Sequence, residues 1–122
     1  MALGRYDKLG PPQLVITLHH RFEEVVLSLV GEMDVATVAD LGAAIDQIVT
    51  NDAVTAMHID TVKVTFVDSS GLRSLMQAHD AAVAHGLLFT LRSEPGGQVE
   101  RVITLSGLDG TLNDYTPHTP DG

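Results

Sequence analysis

The chain has 122 residues, 44% of them hydrophobic and 4% aromatic, no cysteine, and sixteen acidic against seven basic residues for a formal charge of −9. This length fits one domain with a single aliphatic core, and the missing cysteine excludes disulfides and thiolate chemistry. The acidity disfavours nucleic acid and anionic membrane surfaces and suits a basic partner, while no apolar run approaches the about 18–20 residues that cross a bilayer.

Residues 1–12 end in Gly10-Pro11-Pro12 and read as a loose arm before the domain. The stretch MALGRYDKLGPPQ lacks the apolar centre of a secretory signal, so a soluble, cytoplasmic protein is expected. Leu14–Leu18 and Val25–Val30 are β-rich runs separated by the polar HHRFEE, a hairpin without an Asn-Gly turn, and Gly31 closes the second strand. The period then changes. Val38, Leu41, Ala44, Ile45, Ile48 and Val49 share a helical face, with Asp34 and Thr37 as candidate N-caps and Asn51-Asp52 at the end.

Val54–Ile59 returns to a strand, and Val62–Val67 reads as a second extended piece ending at Asp68. Leu72, Leu75, Met76, His79 and Val83 mark a second helix, with Gly86 at a left-handed C-cap position. Leu87–Leu91 is almost wholly apolar, which predicts a strand buried on both faces. Pro95-Gly96-Gly97 opens a third helix with Val99, Val102, Ile103 and Ser106 inward, stopped by Gly107. A short last strand is possible around Leu112–Tyr115, and TPHTPDG is expected to fray. The order ββαβαβα, with or without a last β, implies an α/β fold: a mixed sheet with helices packed mainly on it.

Most polar constellations carry no chemistry. The adjacent His19 and His20 point to opposite faces of a strand; His58 lies in a strand, His79 on an apolar helix face and His85 at a helix C-terminus, with no metal-ligand spacing among them. No metal or cofactor is expected. Gly96-Gly97 precedes a helix but belongs to no GxGxxG or GxxxxGK[ST] pattern. Glu32 and Asp34 could share a face as paired acids, but nothing apolar nearby would raise a pKa.

TFVDSSGLRSL, residues 65–75, is denser. An extended run ends at Asp68 and a helix begins by Leu72, so Ser69 and Ser70 fall at the N-cap and first turn. A hydrolase elbow is GxSxG with a histidine and an acid from a larger fold, and Phe66 and Asp68 stand where its small residues belong. Catalysis is not expected. A phosphate suits the place better, because a helix N-terminus offers free donors and partial positive charge. Its added charge would repel a partner docked on the bare hydroxyls. These arguments do not choose between the two serines.

GEMDVATVADL (31–41), VTFVDSSGLRSL (64–75) and LSGLDGTL (105–112) together resemble the STAS domain family, and within it the bacterial anti-sigma factor antagonists, over about residues 12–115. The resemblance implies a STAS domain over 13–115, an α/β fold with a mixed β-sheet of four to five strands and helices packed mainly on one face, followed by a flexible tail at 116–122. It implies binding to a kinase-type anti-sigma factor, so that a sigma factor is released. That serine kinase would phosphorylate the serine after the motif aspartate, Ser69, and separate from it; a serine phosphatase would restore the active form. ATP and magnesium would belong to the kinase, so the antagonist is no enzyme and needs no cofactor. It would not bind DNA or membrane directly.

By position, Asp68 and Ser70 flank the acceptor, with Ser70 left as the helix cap, and Gly71 permits the turn. Leu72, Arg73 and Met76 lie near the switch, Leu72 in the core and Arg73 at the surface. Asp34 corresponds to an acid beside the acceptor, where it can orient the hydroxyl or meet the kinase while also capping the first helix. Two departures stand out: Asp60-Thr61-Val62-Lys63-Val64 before the phenylalanine, and Met33 for the commoner leucine, a volume-conserving change. The alternative function within this fold is a scaffold or ligand-binding module of another signalling complex, without phosphorylation control. Transporter-attached relatives do not fit a chain without membrane spans.

Overall fold

The computed structural model describes residues 13–105. The expected N-terminal arm over 1–12, the strand around 112–115 and the tail at 116–122 lie outside them, as do Ser106 and Gly107.

The described elements are β1 (Leu14–Arg21), β2 (Glu24–Met33), α1 (Val38–Val49), β3 (Ala56–Val67), α2 (Ser69–Ala84), β4 (Leu88–Arg92) and α3 (Gln98–Leu105). The sheet runs β1-β2-β3-β4, with β1 antiparallel to β2 and β2, β3 and β4 mutually parallel. Each parallel step needs a crossover, and α1 and α2 supply them. Val25, Leu27 and Leu29 of β2, Met57 and Ile59 of β3, and Phe89 and Leu91 of β4 point to one side and join the helices in a single core. Their neighbours on the other side are polar or half-exposed, the alternation of a sheet covered on one face. There His58 Nε2 donates to Glu24 Oε1 at 2.8 Å, and Thr90 Oγ1 lies 2.6 Å from His58 Nδ1, so one side chain ties β2, β3 and β4.

The hairpin between β1 and β2 turns on Phe22 and Glu23, since Arg21 pairs with Glu24. Phe22 adopts φ +57 and is 98% exposed. A bulky residue in the left-handed region costs about 1–2 kcal/mol, and the first position of such a two-residue turn favours glycine. The exposed ring offers little burial in return. Phe22→Gly should therefore raise stability by about 1 kcal/mol net of the extra chain entropy of glycine, read as a higher midpoint in thermal denaturation. A lower midpoint would show that the ring packs on something in solution.

Four expectations are corrected. Gly31 does not close β2. It sits inside the strand at φ +120, where an added Cβ would run into the carbonyl oxygen of Gln13, the group that accepts from Glu32 N at 2.7 Å. The two extended pieces before Asp68 are one strand, β3, carrying two register shifts against β2, between Ser28 and Val30 and between Gly31 and Glu32. Asp60 Oδ1 accepts from Val62 N at the first irregularity, and the buried Thr61 donates from Oγ1 to Arg92 O at 2.7 Å. β4 is buried on one face only: Phe89 and Leu91 are buried, while Leu88 is 58% exposed. Val83 also faces outward, because the sheet side of α2 is lined by the smaller Ala78 and Ala82, fully buried.

The remaining helix faces agree with the periodicity. Leu41, Ile45, Ile48 and Val49 of α1 are buried, as are Val99 and Ile103 of α3, while α2 ends in Gly86 at φ +75 with Leu87 N bonded to Ala82 O.

Candidate functional site

The site is built where two chain segments leave the same end of the sheet. β2 finishes at Met33 and β3 at Val67, paired with each other, and Asp68 N donates to Met33 O at 3.2 Å. The loop Asp34–Thr37 and the first turn of α2 therefore start side by side.

On the α2 side the cap is Asp68. Its backbone is extended, its Oδ1 accepts from Gly71 N at 2.9 Å, and its carbonyl accepts from Leu72 N. Ser70 is thus not the cap, and neither is Ser69: both lie inside the helix, as its first and second residues. Aspartate is among the best N-cap residues, and reaching Gly71 N satisfies a first-turn donor that either serine was expected to serve. This frees both hydroxyls. Ser69 is exposed and Ser70 half-buried, while Ser74, one turn on, is only 5% exposed.

Gly71 is buried beneath this turn. A Cβ there would stand 2.6 Å from Met33 O and 2.8 Å from both Met33 Cβ and Val67 Cγ2. Glycine is needed for close approach of α2 to the strand ends, not for the turn that the sequence suggested: Gly71 is the third residue of α2 and has no positive φ. Leu72 is buried in the core, Met76 packs against it half-buried, and Arg73 is exposed.

On the other side, Asp34 does not cap α1. Thr37 holds the N-cap position, without a side-chain cap bond. Asp34 Oδ1 instead accepts from Ala36 N at 2.9 Å, closing a local turn. Thr37, which the periodicity offered only as a cap, has a structural part that was not foreseen. Its Oγ1 accepts from Asp34 N at 2.9 Å and lies 3.0 Å from Glu32 O as donor, and the residue is 7% exposed. A hydroxyl four residues into a charged loop gives little sequence signal for this.

The described histidines occupy separate places. His79 stacks edge-on to Phe89 at 5.4 Å, and His85 Nδ1 donates to Ala81 O at the end of α2. Among the described residues no group of three or more His, Cys, Asp or Glu could hold a metal ion, and no helix is long and apolar enough to cross a membrane.

This geometry can present an exposed hydroxyl at a helix N-terminus, on a fixed cap, beside a bracketed acidic loop. Comparison with known proteins bears on its use. Residues 16–114 match the family described as "Mlab, STAS domain". The anti-sigma-F factor antagonist RsfB of Mycobacterium tuberculosis is 34% identical over 107 residues, 88% of this chain and 85% of RsfB. The crystal structure of an anti-sigma factor antagonist from Mycobacterium paratuberculosis superposes with a TM-score of 0.73 at 29% identity, covering 93% of each chain. The anti-sigma factor antagonist SpoIIAA in its unphosphorylated form is similar (TM-score 0.71, 26% identity, 88% of this chain and 90% of SpoIIAA), as is the Bacillus cell fate determinant SpoIIAA in the phosphorylated form (0.67, 26%, 88% and 94%). With the four-stranded mixed sheet and three helices of the described residues, and a matched span that covers both sides of the site, the chain belongs to the STAS domain family, among the anti-sigma factor antagonists.

Proposed function

We infer that this protein is an anti-sigma factor antagonist switched by phosphorylation of Ser69. In its unmodified form it binds a kinase-type anti-sigma factor, from which a sigma factor is then released. The observation that carries the reading is the exposure of Ser69 at the first position of α2, with its hydroxyl not needed as a cap because Asp68 takes that part. Asp34, Asp68, Ser70, Gly71, Leu72, Arg73 and Met76 form or support the surface the kinase meets. Leu72 and Gly71 act from beneath by holding the turn. That SpoIIAA has a phosphorylated form of similar fold supports a phosphate being tolerated on this architecture.

The chemistry belongs to the partner. The Ser69 oxygen attacks the γ-phosphorus of ATP, the bond from that phosphorus to the β-γ bridging oxygen breaks, ADP departs, and the hydroxyl proton passes to a base of the kinase. A phosphatase later delivers water to the same phosphorus, returning the serine and inorganic phosphate. Phosphorylation adds about 1.5–2 negative charges between Asp68 and the acidic loop. The helix N-terminus partly stabilises that charge within the domain, but a partner seated on the bare hydroxyl loses its fit. The antagonist itself acts as a cytoplasmic, non-catalytic binding module, with its domain over residues 13–115.

The test is reconstitution. Added to a preformed complex of anti-sigma factor and sigma factor with ADP, the protein should displace the sigma factor, seen as free sigma on size exclusion. No displacement with any anti-sigma kinase of the same genome would favour the scaffold reading, which the family description "Mlab, STAS domain" equally accommodates.

A further inference from the structure

We propose that Val35 and Phe66 form a preorganised apolar anchor beside Ser69, which seats in an apolar, basic-rimmed pocket on the anti-sigma kinase. The inference rests on the function inferred above and adds a source for its affinity.

Isolated apolar side chains on a surface are common and need no explanation. These two differ in how they are held. Val35 is 76% exposed at the head of a turn fixed from several directions. Thr37 N and Val38 N both donate to Asp34 O, Ala36 N donates to Asp34 Oδ1, and Asp34 N donates to the Thr37 hydroxyl. That hydroxyl reaches back to Glu32 O and is itself buried. The loop is thus ordered before any partner arrives, and an anchor on it binds without a further ordering cost.

Phe66 is turned outward by the second irregularity of β3. Val64 is buried, and strict alternation would bury residue 66 next. The shift buries Val67 and leaves Phe66 42% exposed, opposite Glu32. Val35 follows that Glu32 by three residues, and Ser69 follows Phe66 by three. The bond from Asp68 N to Met33 O holds the two segments together at the same end of the sheet.

The electrostatic setting selects the occupant. Glu32, Asp34 and Asp68 lie on these segments, in a chain of formal charge −9. Such a surface repels anionic lipid and nucleic acid, and complements a protein pocket with basic side chains at its rim. An anchor adjacent to the acceptor also divides the labour. Apolar contact supplies affinity, and the phosphate on Ser69 removes it.

The anchor is tested by titrating the cognate anti-sigma kinase against wild-type protein, Val35→Ser and Val35→Leu. Losing a buried valine should weaken binding by about 10–100-fold, raise KM for the antagonist as phosphoryl acceptor and leave kcat and the melting midpoint unchanged. Val35→Leu should bind within about threefold of wild type. Thr37→Val, which removes the bracketing hydroxyl, should bind more weakly than Thr37→Ser. If Val35→Ser binds as well as wild type and is phosphorylated with the same KM, the anchor is wrong while the phosphorylation switch stands. If wild-type protein binds no anti-sigma kinase of its genome, both fall.

Discussion

Gly71→Ala should lower the stability of the domain by about 2 kcal/mol, which for a chain of this size is about 8 °C in the melting midpoint. Two effects oppose each other. Alanine is the better helix former by about 1 kcal/mol. Against this, the new methyl would stand 2.6 Å from the Met33 carbonyl oxygen and 2.8 Å from Met33 Cβ and Val67 Cγ2. The carbonyl cannot rotate away, because it accepts from Asp68 N and holds the strand end to the start of α2. Overpacking against backbone costs up to about 3 kcal/mol, so the clash wins. The displaced first turn should also carry Ser69 out of register, and phosphorylation should slow more than global stability explains. A variant as stable as wild type would mean that α2 has room to lift, and that its close contact with the strand ends is dispensable.

Phosphorylation of Ser69 is expected to weaken binding of the anti-sigma kinase by at least about 100-fold, since disrupting a charged contact at an interface commonly costs several kcal/mol. Ser69→Ala should keep binding near the wild-type level and accept no phosphate, leaving the partner permanently captured. Ser69→Glu should fall between, because a carboxylate carries less charge than a phosphate. All three forms should unfold at similar temperatures, since the Asp68 cap does not use the serine hydroxyl. Calorimetric titration of each form with the kinase and ADP separates these outcomes. Tight binding by the phosphorylated form would remove charge as the basis of release.

The legible parts of this fold are those with an unbroken period. Leu41, Ile45 and Ile48 mark α1 because a helix face repeats every three or four residues, and Val25, Leu27 and Leu29 mark β2 because a half-covered strand alternates. β3 was less legible because its irregularities reset that alternation: inward positions pass from Thr61 to Val64 and then to Val67. The almost wholly apolar run Leu87–Leu91 suggested a strand covered on both sides, yet a run so short does not separate a strand covered on both faces from one covered on a single face, and β4 leaves Leu88 exposed. At the site, the composition DSSG located the helix start within two residues. It points to a serine cap because either hydroxyl can accept from a first-turn N–H; the acid just before them is the one that reaches Gly71 N. The bracket around Val35 depends on the Thr37 hydroxyl meeting Glu32 and Asp34 across a turn, a tertiary detail with no periodic signature.

The most direct test of the account is site mapping by tandem mass spectrometry after incubation with the cognate anti-sigma kinase and magnesium ATP. A single added phosphate is expected, on Ser69, absent from Ser69→Ala and retained by Ser70→Ala. A phosphate on Ser70, or one that persists in Ser69→Ala, would contradict it.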